Sequence, residues 1–313
     1  MRIIFMGTPE FAIPSLKILL EHGYNVVSVV TAPDKPQGRG QNIAPTPVKD
    51  FALRSNLPIL QPEQLKSSDF ASSVAHLQPD LIVVVAFRIL PPEVFTIPRL
   101  GSFNLHASLL PKYRGAAPIN WALIQGEEET GVTTFFLQEK VDTGSILLQA
   151  RLRIGPNETA GELHDRLAEL GSQVVLQTVR AIEVGNVAVQ PQDDSLASLA
   201  PKIFKQDCSI DWNKPSQQVH DYVRGLSPSP CAWTMLNRKI LRIYRTSIAE
   251  RAELLPGRKP GEIVDVRPDR ALVRTQTGVL ALEEVQQEGR KRMGISEFLR
   301  GTPLSVGNRL GNV

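Results

Sequence analysis

Asn104 and His106 stand two positions apart in the run Gly101-Ser102-Phe103-Asn104-Leu105-His106 of a 313-residue chain. On a strand, residues i and i+2 share a face, so a carboxamide and an imidazole are expected to point into one cleft. Open α/β sheets bind ligands beyond the carboxyl ends of their strands. An amide NH2 can donate to a developing oxyanion, and an imidazole can move protons near neutral pH. Taken alone, an N-x-H pair is more often a strand histidine satisfied by a neighbour. Its surroundings shift the balance. Ala107-Ser108-Leu109-Leu110-Pro111-Lys112-Tyr113-Arg114-Gly115 follows as a loop marked by Pro and Gly, and Val141-Asp142-Thr143-Gly144 puts an acid in a tight turn some thirty residues later. Asp142 alone is a common turn former. Together, the N-x-H-x-S-L-L-P-x-Y-R-G and V-D-T-G patterns form a combination that is hard to assemble by chance.

The elements that must hold these residues alternate between strand and helix. Residues 2–6 read as a buried strand, and Gly7-Thr8-Pro9-Glu10 reads as a turn with an N-cap and a proline at the first helical position. A helix to about Glu21 and a strand over residues 25–31 complete a βαβ unit. Further strands are expected over residues 80–86, 101–106, 132–137 and 146–154. Thr159 and Glu162 form a capping box that opens a long amphipathic helix ending near Gly185. The turn after the first strand carries one glycine where a dinucleotide fingerprint needs three, so that function is excluded. Residues 33–47, rich in Pro and Gly, read as a loop without secondary structure of its own. Beyond a polar stretch at 190–199, short strands over 239–244, 261–266, 271–275 and 279–284 suggest a small β-barrel or sandwich. The expected division is 1–189, a linker at 190–205, and 206–313.

Hydrophobic residues make up 42% of the chain and charged residues 21%, the balance of a soluble globular protein. The longest apolar run, residues 81–87, is far short of the ~20 residues of a membrane span. With an apolar strand beginning at residue 2, no leader peptide is expected. Two cysteines build neither a disulfide framework nor a zinc site, which points to a reducing cytoplasm. The charge is divided unevenly. The first 200 residues carry 16 basic and 20 acidic side chains, net −4, and the remainder 19 and 12, net +7. A basic tail beside an acidic body suits a polyanion, with Arg290-Lys291-Arg292 as candidate phosphate contacts. His22, His76, His164 and His220 are read as surface or structural, and Trp212 and Trp233 as core.

The N-x-H-x-S-L-L-P-x-Y-R-G and V-D-T-G patterns together resemble the folate-dependent formyltransferase family. The resemblance covers the whole chain. Gly7-Thr8-Pro9-Glu10-Phe11, the segment from Pro33 to Gly40 with Lys35 and Arg39, Arg224-Gly225-Leu226-Ser227-Pro228-Ser229-Pro230-Cys231-Ala232 and the closing Gly307-Asn308-Arg309-Leu310 are similar to its tRNA-acting branch. It implies an α/β, Rossmann-like catalytic domain followed by an OB-like β-barrel. The implied donor is 10-formyltetrahydrofolate, with no metal, and the implied acceptor is the methionyl amine of initiator Met-tRNA; a monomer is expected. Asn104, His106 and Asp142 would be catalytic. Phe87, Arg88, Ile89 and Leu90, with Ser108, Leu109, Leu110 and Pro111, would line the folate pocket, and Lys35 and Arg39 would meet the tRNA. Phe87-Arg88 departs from the Tyr-Gly usual there, so that segment does not decide the acceptor. The competing readings are a small-molecule formyltransferase, a formylfolate hydrolase and an RNA-binding module without catalysis.

Overall fold

The computed structural model describes residues 1–37, 42–249 and 257–311. In chain order the first part contains β1 (Arg2–Gly7), α1 (Ile13–Glu21), β2 (Asn25–Val30), β3 (Lys35–Gln37), β4 (Asn42–Ala44), α2 (Pro47–Arg54), β5 (Ile59–Leu60), α3 (Ser68–His76), β6 (Leu81–Val85), α4 (Pro92–Phe95), β7 (Ser102–His106), α5 (Pro118–Ile124), β8 (Glu129–Phe136), β9 (Ile146–Arg153) and α6 (Ala160–Glu183). The second contains α7 (Ser216–Leu226), β10 (Ala232–Leu236), β11 (Lys239–Ile248), β12 (Ile263–Arg267), β13 (Arg270–Arg274), β14 (Val279–Gln287), β15 (Met293–Gly294) and α8 (Ile295–Gly301). The chain forms two compact units. The first comprises residues 1–115, 130–152 and 164–199, and the second residues 116–129, 153–163 and 200–313.

The first unit is built on a seven-stranded sheet in the order β5-β2-β1-β6-β7-β8-β9. Its strands from β5 to β7 run parallel, and β8 pairs antiparallel with β7. β6 is buried along its whole length, as a central parallel strand covered on both faces must be. Ile4, Met6, Ile82 and Val84 meet Phe70, Val74, Leu90 and Val94 in one core on that sheet. The chain leaves β1 toward β2 and β5, then returns to the other side for β6 and β7. The strand order therefore reverses beside β1, the place where such sheets open a crevice at their carboxyl ends.

Two local expectations are corrected. Thr8 does not cap α1: a 3-10 turn over Glu10–Ala12 precedes the helix, and the Thr8 hydroxyl instead accepts from the Ala32 amide at 3.3 Å. The hydroxyl serves the neighbouring strand end because the chain must turn once more before α1 can lie on the sheet. Residues 33–47 are not a plain loop, since β3 and β4 pair as a short antiparallel hairpin. Strands of three residues, one of them with a central proline, give no readable alternation. The capping box forms as expected, with the Glu162 carboxylate accepting from the Thr159 amide at 2.9 Å.

The second unit holds an antiparallel sheet in the order β10-β11-β14-β13-β12, with β15 on β14. Bulges near Ile243 and Arg245 bend β11. Trp212, Val219, Val223, Leu241, Leu280 and Phe298 are among its core residues. The Trp212 indole donates to the Thr234 hydroxyl at 3.1 Å, which satisfies its buried N–H. Asp221 and Arg224 pair at 2.6 Å inside this unit, both nearly closed to solvent, and Arg224 also donates to the Gly155 carbonyl.

His220 is 2% exposed and lies between the Thr246 hydroxyl at 3.0 Å and the Pro156 carbonyl at 3.1 Å. Burial pushes its pKa below the ordinary value, so folding favours the neutral ring. The sign follows directly: its contribution is complete above the unfolded-state value of about 6.5 and is lost as pH falls below it. Urea unfolding should show a stability decline between neutral pH and pH 5 that His220→Asn flattens. An unchanged slope would mean that other groups set the acid sensitivity.

Candidate functional site

The site begins at the carboxyl end of β7. Asn104 lies opposite Phe135 and His106 opposite Thr133 on β8, which sends both side chains to the same face. His106 is 6% exposed, and its ring meets Phe135 edge-on at 6.5 Å between centroids. Nε2 lies 2.8 Å from the Tyr113 carbonyl. A carbonyl can only accept, so Nε2 carries the proton of the neutral ring and Nδ1 is left with its lone pair. That free nitrogen faces Asp142 Oδ2 at 3.9 Å. The gap is too wide for a direct hydrogen bond, and it leaves room for a donor between them. The Asn104 carboxamide, half-buried, stays out of the hydrogen bonds that tie the surrounding loop together.

Asp142 owes its position to the turn that holds it. Its φ of +55° is in the left-handed region, which Asp tolerates better than most residues. The Gly115 amide donates to Oδ2 at 2.9 Å and fixes the carboxylate. Gly144 closes the turn, and a Cβ there would overlap the Phe136 carbonyl. This explains why the Val-Asp-Thr-Gly pattern ends in glycine.

The loop after His106 is equally constrained. Ser108, fully buried, donates to the Lys112 carbonyl at 2.6 Å, and the Thr133 hydroxyl donates to the Ser108 carbonyl at 2.6 Å. Thr133 also accepts from the Leu110 amide at 3.1 Å. Gln149 adds a bond to the Leu110 carbonyl at 2.9 Å. Leu110 itself is core, against Phe135 and Ile146. Leu109 and Pro111 are half-buried.

Next door, Phe87, Arg88, Ile89 and Leu90 follow β6, whose Val84 and Val85 pair with Asn104 and Leu105. Leu90 is buried, whereas Ile89 is 71% exposed. Arg88 turns back to the Pro62 and Glu63 carbonyls and lies 5.4 Å from the Phe87 ring centroid. The two expected folate segments therefore flank the Asn104–His106 strand end, with the Leu90, Ser108 and Leu110 side chains buried.

Sequence reasoning missed a second layer behind Asp142. Residues 190–199, expected as part of a linker, are pinned to the first unit. Gln192 Nε2 donates to the Asp142 carbonyl at 2.9 Å and to the Gly144 carbonyl at 2.7 Å. Arg114 in turn donates to Gln192 Oε1 and to Asp194, both at 2.7 Å, and holds the Asp194 carboxyl below the usual range. Ser198 accepts from the Tyr113 amide at 2.9 Å. One strap thus braces both the turn that carries Asp142 and the carbonyl that orients His106.

The expected tRNA contacts are scattered. Lys35 borders a pocket at the ends of β1 and β2. Arg39 lies outside the described residues. In the second unit, Arg290 bonds to Thr302, Lys291 pairs with Glu297 at 3.1 Å, and Arg292 forms a forked pair with Glu284 over the Tyr244 ring. Among the described residues, no group of three or more His, Cys, Asp or Glu could hold a metal ion, and no helix is long and apolar enough to cross a membrane.

Gln192→Leu removes the strap's grip on the Asp142 turn while leaving Asn104, His106 and Asp142 in the chain. The expected result is a kcat reduced about 10- to 100-fold with KM for both substrates nearly unchanged, and recovery in Gln192→Asn only if the shorter amide still reaches. A KM effect of the same size as the kcat effect would show that Gln192 supports binding rather than positioning.

The formyl transferase family model matches residues 1–179, and the model described as formyl transferase, C-terminal domain, matches residues 202–303. The chain is 50% identical over 306 residues to the methionyl-tRNA formyltransferase of Chlorobium limicola, covering 96% of each chain. WlaRD, a sugar 3N-formyl transferase solved with dTDP and 5-N-formyl-THF, aligns at a TM-score of 0.68 and 20% identity over 93% of this chain and 99% of its own. HypX from Aquifex aeolicus, solved with tetrahydrofolic acid, aligns at a TM-score of 0.65 and 18% identity over 100% of this chain, which spans about half (51%) of HypX. These two likenesses concern the fold. The family models and the full-length relative together establish that this chain belongs to the formyl transferase family, among the methionyl-tRNA formyltransferases.

Proposed function

We propose that the protein transfers the formyl group of 10-formyltetrahydrofolate to the amine of methionine on initiator methionyl-tRNA. One observation carries the chemical part of this reading. His106 offers a lone pair on Nδ1 across a 3.9 Å gap from the Asp142 carboxylate, at the strand end that also bears Asn104. The 50% identity over nearly the full length of a methionyl-tRNA formyltransferase supports the choice of acceptor.

The residues divide the work. Asn104 donates its NH2 to the oxygen of the formyl group as the amine adds and charge builds there, an interaction of this kind being worth about 3–4 kcal/mol. His106 Nδ1 takes the proton that the amine sheds and returns it to the folate nitrogen as the bond from that nitrogen to the formyl carbon breaks. The proton count balances: the amine loses one hydrogen and gains the formyl group, and the folate nitrogen does the reverse. Asp142 stabilises the imidazole while it is charged, across the 3.9 Å gap or through a water in it. The backbone of residues 87–90 and 108–111 holds the folate. Lys35 and Arg39, on the segment between β2 and α2, meet the acceptor RNA, and the basic surplus of the C-terminal part attracts its phosphates.

The same reading has the chain act as a monomer in a reducing cytoplasm. The reducing compartment fits its two cysteines, since Cys208 and Cys231 are buried free thiols and burial pushes Cys231 up to about 11.

The test offers labelled 10-formyltetrahydrofolate with initiator Met-tRNA, elongator Met-tRNA and glycinamide ribonucleotide side by side. Label should pass to initiator Met-tRNA far ahead of the other two. Preferred transfer to the small nucleotide, or release of labelled formate alone, would replace this reading with one of its competitors. Asn104→Ala, His106→Ala and Asp142→Asn should each lower kcat by about 10²- to 10³-fold with tRNA affinity nearly unchanged. Normal turnover in two of the three would remove the assignment.

A further inference from the structure

The loop between β6 and α4 is fixed at its ends, and its middle depends on side chains. Val85 pairs with Leu105 before the loop, and Leu90 is buried in the sheet core after it, with Phe87 packed against the same core. Ala86 has a φ of +48°, in the left-handed region that a residue with a Cβ enters at a cost. Such a turn persists only where its surroundings enforce it. Among the described residues, no backbone hydrogen bond ties Arg88 or Ile89 to a neighbour, and the Ile89 side chain is exposed. The Arg88 side chain supplies the missing tie. Its Nη2 donates to the Pro62 carbonyl at 2.6 Å and its Nη1 to the Glu63 carbonyl at 3.0 Å.

The segment that receives this fork is itself held. β5 pairs with β2, and the Thr31 amide donates to the Leu60 carbonyl at 3.0 Å. Gln61 donates to the Ala32 carbonyl at 2.9 Å and to Asp34 at 2.8 Å, and Pro62 has a fixed φ of its own. Folding stability does not account for the arginine. It meets neutral carbonyls and the Phe87 ring rather than a carboxylate, and its Nε is buried without a partner. Burial pushes its pKa down, the mark of a charge that loses more to desolvation than it regains. We propose that Arg88 is a positioning residue for the folate co-substrate, its fork anchoring the loop after β6 to the 59–63 segment so that the backbone groups of residues 87–90 are set before folate arrives. The inference rests on the folate reading above. The guanidinium acts through the loop and does not touch the co-substrate. A preset loop spares the ordering cost of binding, so loss of the fork weakens binding while the groups that do the chemistry stay in place.

The test measures equilibrium binding of tetrahydrofolate, and of tetrahydropteroate, which lacks the glutamate, to the full-length protein, together with formyl-transfer kinetics. Arg88→Met keeps the stem beside Phe87 and removes every donor. It should weaken both ligands about tenfold, the size of effect expected when a short loop must be ordered on binding. KM for 10-formyltetrahydrofolate should rise to match, with kcat and KM for Met-tRNA nearly unchanged. Arg88→Lys, which can still donate to one carbonyl, should recover part of the loss and serves if Arg88→Met does not fold. Equal binding by the wild type and both variants, or a fall in kcat as large as the rise in KM, would overturn the positioning role. A loss confined to tetrahydrofolate would overturn it too, because the guanidinium would then meet the glutamate carboxylates directly. A wild type that binds neither ligand would overturn the folate reading and the inference with it.

Discussion

The hydrogen bond from His106 Nε2 to the Tyr113 carbonyl is the constraint on which the rest of the site depends. It fixes the ring's orientation and its tautomer together, so that a single nitrogen, Nδ1, is left for chemistry. Without it the imidazole could turn either nitrogen to Asp142, and the carboxylate's position would have no consequence. Tyr113 can present its carbonyl there because its own φ is +61° and its amide is held by Ser198. The bond is therefore the end of a chain that runs from the strap through the loop to the ring.

The same economy appears around Asp142. A carboxylate beside an imidazole is useful only if it does not collapse onto it, since a direct pair would close the gap a substrate proton must cross. The Gly115 amide holds Oδ2 from one side and Gln192 holds the turn's carbonyls from the other. The Gly115 backbone donor cannot swing away and costs no side-chain entropy, and the Gln192 side chain is itself held by Arg114. The parallel sheet beneath supplies rigidity, with β6 and β7 paired over four consecutive residues just before both functional loops begin.

Much of this was legible in the sequence, and what was not has a physical reason. Asn104, His106 and Asp142 stood out because the patterns that contain them resemble those of a known family, whereas each alone reads as structural, and the alternation of strand and helix pointed to the parallel sheet. The Tyr113 contact was not, because a backbone carbonyl has no residue signature. The strap at 190–199 was hidden by its composition: Gln192, Asp194 and Ser198 are the polar residues expected in a solvated linker, and equally those able to bond to backbone groups. Arg290, Lys291 and Arg292 read as a basic run, yet each has a partner within its own unit, which a count of charges cannot reveal.

The most direct test of this account is the nitrogen chemical shifts of the His106 ring in the full-length protein, labelled at histidine, at a pH where the ring is neutral. The account predicts a protonated Nε2 and an unprotonated Nδ1, with the Nε2 signal altered when Ser198→Ala loosens the Tyr113 carbonyl. A ring protonated at Nδ1 would contradict it, because the nitrogen facing Asp142 would then have no lone pair with which to take a proton.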